Sequence, residues 1–417
     1  MHSLGLTTLL LLVAVACAGF AAGAPAHPVV FFPGYSLSVF EVTVTNQTVQ
    51  PSCPASGTYR LHFEADAVQN GFDITCMTNL LALNYSTETG RFSGQEGVSV
   101  ALKDYGHPAC APFYEPFFVA MEGAGLVRNT TLLAACFDWR MAPNVDVIPG
   151  TNFMADTREL VIRAYEAANQ TKVYLVGHSN GPIVAQYFLL HAGADFREKY
   201  IAGFIPYAGN WAGGGLMTSL LFEGLSVLDF TFLPSTAATF EAWPSTYFSA
   251  AQPATFKRVI TLIRTPERNY TPEDYTQLWA DSGLELAAVL NPKYNGLVKP
   301  TMFPEVPVFN FFGSNISTIV GTARANLTVG QSSTAYLEAL GDINQEYITN
   351  ESNEIWSEMR CDSFTNKDLP NVDHFALPNH PDVLNATVAI IKAPTPGDLC
   401  SGAAGPLLAN SWLRLIM

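Results

Sequence analysis

The chain is short of charge, and of positive charge above all. Only 14% of its 417 residues are charged, and 21 basic side chains stand against 36 acidic ones, for a formal net charge of -15. Grip on a phosphate backbone needs a basic surface, so a nucleic-acid partner is excluded. Docking onto anionic lipid by charge alone is excluded for the same reason, and any lipid contact has to be mainly hydrophobic. Beyond the first residues there is no clean apolar run of roughly 18 residues, the length that spans a bilayer as a helix. The apolar tail from Gly405 to Met417 is interrupted by Asn410 and Arg414, which leaves only a weak lipid-anchor signal. No C-x-x-C pair occurs, which argues against a zinc ribbon or thioredoxin-type chemistry. Internal repeats and long low-complexity segments are absent as well.

What is present points to a large, well-cored, exported protein. The chain is 48% hydrophobic, so it can bury a sizeable core. Leu9 to Val15 is apolar and small residues follow to Ala22-Gly23-Ala24, the pattern of an export signal with its cleavage site; residues 1–24 are expected to be that signal. Nine N-x-S/T sequons, at Asn46, Asn84, Asn129, Asn169, Asn269, Asn315, Asn326, Asn350 and Asn385, fit a eukaryotic secretory route to an extracellular or lysosome-like compartment. Past the signal six cysteines remain, Cys53, Cys76, Cys110, Cys136, Cys361 and Cys400, an even number suited to disulfides in an oxidising compartment. Among the last four the pairing is open, with Cys110–Cys136 and Cys361–Cys400 favoured.

Along the chain, strand and helix patterns alternate. Val29 to Phe32 reads as a buried strand ending in Pro-Gly, Gly106 to Arg128 as helical, Thr131 to Phe137 as a strand, and Met154 to Gln170 as a helix. Lys172 to Val176 reads as a strand, Pro182 to His191 as a helix and Tyr200 to Ala208 as a strand. Such alternation predicts an α/β fold on a mostly parallel sheet with helices on both faces, over residues 25–417. The mixed stretch from Cys53 to Cys76 reads as an excursion from the core. The aromatic-rich residues from about 216 to 300 read as a cap insertion over the site. Val306 to Phe312 and Val388 to Lys392 read as late core elements.

Val173 to Gly181 carries the chemistry. A strand runs into Gly177-His178-Ser179-Asn180-Gly181, and a helical run follows at once. G-x-S-x-G in that setting is the nucleophile elbow of α/β-hydrolases, a sharp turn that lifts the serine hydroxyl above the sheet. A serine needs a base held by an acid, and in this fold the chain order is Ser, acid, His. Past Ser179 the histidines are His191, His374 and His380. His191 ends the elbow helix about three turns away and is out of reach, so the base is His374 or His380. For the acid, Asp342 follows a helical-looking stretch, Ala335 to Leu340, and Asp281, Asp362 and Asp373 compete. The oxyanion donors are expected from the N–H of Asn180 and from the Pro33-Gly34-Tyr35 loop. No metal or nucleotide is required by this chemistry.

Several segments together resemble the lecithin:cholesterol acyltransferase and lysosomal phospholipase A2 family. His27-Pro-Val-Val-Phe-Phe-Pro-Gly34 is similar to that family's first strand and oxyanion loop, and Ala135-Cys-Phe-Asp-Trp-Arg-Met-Ala-Pro143 resembles its Y-D-W-R-x-x-P segment. Leu175-Val-Gly-His-Ser-Asn-Gly181 resembles its elbow. Lys199-Tyr-Ile201 leading to Gly213-Gly-Gly215 resembles the strand and glycine loop that follow, and Pro304 to Gly313 resembles a late strand. Gly341-Asp342 resembles its acid loop, and His380 with Val383 to Thr387 its histidine loop. The resemblance spans roughly residues 27 to 392. It implies a catalytic set of Ser179, Asp342 and His380, with His374 the alternative base, and oxyanion donors at Tyr35 and Asn180. It further implies a Cys53–Cys76 disulfide closing a lid or membrane-contact loop. The implied activity is acyl transfer from a glycerophospholipid ester to water or to an alcohol or sterol, at a membrane or lipoprotein surface. An esterase of smaller soluble esters and a catalytically silent lipid carrier are the competing expectations.

Overall fold

The computed structural model describes residues 25–45, 53, 55–61, 74–148, 151–226, 232–253, 260–331, 333–342, 356 and 364–393. The expected signal at 1–24, Cys361, Cys400 and Asp362 lie outside the described residues, as does most of the stretch between Cys53 and Cys76.

The centre is a six-stranded, all-parallel sheet. In chain order its strands are β1 (Val29–Phe32), β2 (Leu132–Ala134), β3 (Val173–His178), β4 (Ile201–Tyr207), β5 (Val308–Ser314) and β6 (Phe364–Pro370). In space the order is β6-β5-β4-β3-β1-β2, with β3 paired to β1 and β4. Every residue of β3 is buried. A parallel strand covered on both faces has no solvent side, which is why Val173 to His178 shows no polar alternation. The four residues of β1 divide by pleat. Val29 and Phe31 pack with Phe117, Phe118, Val383 and Ile390, whereas Val30 and Phe32 pack with Leu160, Val161, Ile183 and Val184. Helices Glu115–Gly123 and Pro381–Lys392 therefore lie against one face, and Phe153–Ala167 and Gly181–His191 against the other. This is the α/β-hydrolase fold, and sites in such sheets form at the carboxyl ends of the strands.

Two expectations are corrected. Gly106 to Arg128 is helical only over Glu115–Gly123, because Pro108 and Pro112 each begin a short 3-10 turn instead. Ala335 to Leu340, which has helix-forming composition, lies in the strand Thr334–Gly341, paired antiparallel with Ile316–Ala323. Tertiary pairing along that whole strand outweighs a weak local preference. The strand is the edge of a four-stranded sheet that also contains Ile263–Arg264 and Asn269–Tyr270, so part of the 216–300 stretch shares a sheet with the segment that ends at Asp342.

Strands Phe40–Thr45, Ser56–Leu61 and Val98–Leu102 form a separate antiparallel sheet. Disulfides join Cys53 to Cys76 and Cys110 to Cys136.

Candidate functional site

The elbow is built by three backbone requirements. Ser179 sits at φ +63°, in the left-handed region that side chains avoid. A Cβ on Gly181 would collide with the Phe32 carbonyl, and one on Gly177 would stand 3.0 Å from the Pro182 nitrogen. Both flanking glycines are thus demanded by contact with β1 and with the helix that follows. The turn is pinned to β4: Ser179 N–H donates to the Tyr207 carbonyl at 2.9 Å, and Asn210 N–H donates to the Ser179 carbonyl at 3.2 Å. Such strain persists only where the surroundings over-determine it, and here they do.

Opposite the elbow, residues 34–37 turn tightly, with Leu37 N–H donating to the Gly34 carbonyl at 3.2 Å. A Cβ on Gly34 would lie 3.0 Å from Ser179 Cβ, so this loop passes directly against the serine. Tyr35, next in the loop, rests its ring 5.7 Å from Trp139, and burial pushes its hydroxyl far above the usual tyrosine range. Asn180 starts the helix Gly181–His191, where the first N–H groups have no intrahelical partner. Its side-chain oxygen accepts from Ser249 Oγ at 2.7 Å, tying the elbow to the segment above it.

The Asp138-Trp139-Arg140 segment supports this loop from below. Arg140 grips Asp138 with two hydrogen bonds, at 2.8 and 2.7 Å, and both side chains are nearly inaccessible. Trp139 Nε1–H donates to the Ser38 carbonyl and its ring stacks on Phe40. The Arg140 carbonyl in turn accepts from Ser245 N–H at 3.1 Å, so the 138–140 segment is bonded both to the loop at Ser38, through Trp139, and to the 244–248 helix, through its backbone.

Asp342 stands where Thr334–Gly341 ends. Gly313, near the end of β5, leaves room for it, since a Cβ there would come within 2.9 Å of Asp342 Cβ. The histidine joined to Asp342 is His374. Its Nδ1–H donates to Asp342 Oδ2 at 2.8 Å, its backbone N–H donates to the Asp342 carbonyl at 2.8 Å, and both side chains are 1% exposed. A carboxylate only accepts, so Nδ1 carries the proton and a neutral His374 keeps Nε2 as a proton acceptor. The His374 ring centroid is 4.6 Å from that of His178, the residue before Ser179, which sets His374 beside the elbow.

The expected pairing of Asp342 with His380 is not what the chain adopts. His380 is the N-cap of Pro381–Lys392; its Nδ1 accepts from Asp382 N–H at 3.3 Å, and it is about one-third exposed. A 3-10 turn, Leu377–Asn379, carries it away from the loop that holds His374. Of the competing acids, Asp373 accepts from the N–H groups of Phe375 and Ala376 and so shapes the His374 loop. Asp281 accepts from the Tyr270 hydroxyl. His191 bonds the Tyr187 carbonyl within its own helix.

Sequence reasoning missed two buried side chains here. His178 is flanked by the Tyr114 hydroxyl at Nδ1, 2.9 Å away, and by the His374 carbonyl at Nε2, 2.8 Å away. Its place inside G-x-S-x-G was a signal that could have been followed; nothing local marked Tyr114.

A family model described as lecithin:cholesterol acyltransferase matches residues 104–315. Among curated relatives, the lysosomal phospholipase A and acyltransferase of Bos taurus is 26% identical over 261 residues, covering 59% of this chain and 62% of that protein. The phosphatidylcholine-sterol acyltransferase of Gallus gallus is 23% identical over 269 residues, covering 59% of this chain and 61% of its own. The match thus spans about three-fifths of the length of these relatives. Among solved structures, a chain of the Tle4-Tli4 complex aligns with 90% of this chain and 99% of its own, at a TM-score of 0.56 and 10% identity. That likeness is one of fold alone.

Proposed function

The chain belongs to the lecithin:cholesterol acyltransferase family, and from that premise we propose that it is a serine lipid hydrolase and acyltransferase acting on a glycerophospholipid ester. The observation that carries this reading is the buried Asp342–His374 pair at 2.8 Å, set beside a strained Ser179. In the first half-reaction His374 Nε2 takes the Ser179 proton as Oγ attacks the ester carbonyl carbon. The N–H groups of Tyr35 and Asn180 hold the oxyanion, an interaction worth about 3–4 kcal/mol per donor. The tetrahedral intermediate collapses to an acyl-enzyme. His374 returns its proton to the leaving lysophospholipid oxygen, while Asp342 stabilises the transient imidazolium. In the second half-reaction His374 deprotonates water, which releases a fatty acid, or an alcohol, which becomes the new ester.

The names of the relatives, phospholipase A with acyltransferase and phosphatidylcholine-sterol acyltransferase, support phospholipid as the acyl donor and leave water and a sterol or alcohol as the acceptors to compare. Two disulfides support residence in the secretory pathway. Among the described residues no helix is long and apolar enough to cross a membrane.

The test is lipid mass spectrometry of products from phosphatidylcholine vesicles, with and without a sterol or a long-chain alcohol. Acyl products from the parent protein and none from Ser179→Ala are expected. Undiminished fatty-acid release by Ser179→Ala would sink the serine mechanism.

A further inference from the structure

We propose that Tyr114 and His178 are positioning residues that lock the oxyanion loop and the histidine loop into one register behind Ser179. The inference rests on the roles of Ser179, His374 and Asp342 given above.

The donors and acceptors along this connection are all determined. His178 Nε2 lies 2.8 Å from the His374 carbonyl oxygen, and a carbonyl can only accept, so Nε2 bears the proton. In the neutral ring Nδ1 is then the acceptor, and the Tyr114 hydroxyl, 2.9 Å away, donates to it. The Tyr114 oxygen in turn accepts from Gly34 N–H at 2.9 Å. The chain of bonds therefore runs Gly34 N–H to Tyr114 O–H to His178 Nδ1, then His178 Nε2–H to the His374 carbonyl. Tyr114 and His178 are fully buried and His374 nearly so. Burial, with the neighbouring His374 second, holds His178 well below its ordinary pKa, which keeps the ring neutral and this tautomer in place.

Two ends of the site meet through these bonds. Gly34 touches the serine on one side, and His374 is held by Asp342 on the other. Neither end is anchored by sequence neighbourhood: Gly34 and His374 belong to loops at opposite ends of the chain. Asp342 fixes the Nδ1 side of the His374 ring, but the height of its backbone above the elbow is also set by His178. Since a misplacement of about 1 Å at a reacting group costs about 100-fold in rate, loosening this connection acts on turnover more than on substrate binding.

The experiment compares Tyr114→Phe, His178→Gln and His178→Asn in the full chain on phosphatidylcholine vesicles, with Ser179→Ala alongside and the melting temperature of each recorded. Tyr114→Phe removes the acceptor for Gly34 and the donor for His178 without changing shape; kcat is expected to fall ~10–100-fold with KM within about twofold. Glutamine can set an amide N–H near the Nε2 position and keep the bond to His374, whereas asparagine reaches only the Nδ1 side. His178→Gln is therefore expected to retain at least ~10-fold more kcat than His178→Asn. A Tyr114→Phe variant that melts as the parent and turns over at the parental rate would overturn the proposal. So would equal activity of the two His178 variants. If Tyr114→Phe does not fold, the Gln-to-Asn ratio decides alone. Turnover surviving in Ser179→Ala would instead remove the underlying serine reading, a distinguishable result.

Discussion

Asp342 and His374 are joined twice, once through Nδ1–H to the carboxylate and once through the His374 backbone N–H to the Asp342 carbonyl. The second bond fixes the loop and the first fixes the ring, so the histidine has little freedom to turn away from its acid. Removing the pair from either side is expected to have separable consequences.

His374→Ala is expected to lower kcat by at least ~1,000-fold, the usual consequence of removing a triad base. His380→Ala is expected to leave turnover within about threefold. It should reduce stability by about 0.5–2 kcal/mol, because His380 caps the last helix and alanine cannot. Phospholipid turnover, with urea denaturation of both variants, checks the pair. Loss of turnover in the His380 variant only would reverse the assignment.

Asp342→Asn preserves size and the backbone bond but replaces the carboxylate with an amide that can stabilise the wrong tautomer. A drop in kcat of about 10,000-fold is expected by analogy with serine proteases. Asp373→Asn keeps an acceptor for the Phe375 and Ala376 N–H groups and should leave turnover within about fivefold. Initial rates on one substrate suffice to test the contrast.

Gly181→Ala introduces a Cβ into the Phe32 carbonyl, where the obstacle is the backbone of Phe32 and Pro33 rather than a side chain that could swing away. Destabilisation by about 3 kcal/mol or more is expected. Gly123→Ala, at the end of a helix where a Cβ meets nothing within 4 Å, is expected to be neutral or stabilising by up to ~1 kcal/mol. Equilibrium unfolding of the two variants checks this; equal stabilities would contradict the packing.

His178 gives stability a pH dependence of definite sign. Burial holds its folded pKa well below the ordinary histidine value of about 6.5, so below that value the unfolded chain binds a proton that the folded one refuses. Stability then falls as pH drops from about 6.5 toward the folded pKa and is level above it, as far as this group is concerned. His178→Gln should flatten that slope between pH 6.5 and 5 in urea-unfolding midpoints. An unchanged slope would mean that another group carries it.

Each disulfide closes a similar loop, with sequence separations of 23 for Cys53–Cys76 and 26 for Cys110–Cys136. Loop entropy therefore assigns each about 3.5 kcal/mol. Cys110 and Cys136 lie in the core beside Phe31 and Tyr114, next to the Gly34 contact. Replacing that pair by serine is expected to lower both melting temperature and turnover. Replacing Cys53 and Cys76 should lower melting temperature to a similar extent.

The elbow and the alternation of strand and helix around it could be read from the amino-acid order, because each depends on residues near one another in the chain. G-x-S-x-G needs only a strand before it and a helix after it, and Val173 to His191 contains both. The Cys53–Cys76 bridge came with the resemblance rather than with the spacing. What neighbouring residues could not decide was which of two histidines, six positions apart, would reach Asp342. That depended on a strand that local composition disguised as a helix, on Gly313 making room for the carboxylate, and on a 3-10 turn carrying His380 out to cap a helix. Tyr114 and Gly34, 80 residues apart in sequence, share a hydrogen bond only because β1 and the 112–114 turn are packed together. Local preference sets elements at a few tenths of a kcal/mol per residue. Contacts between distant segments, each worth about 1 kcal/mol and acting together, choose which functional groups those elements bring face to face.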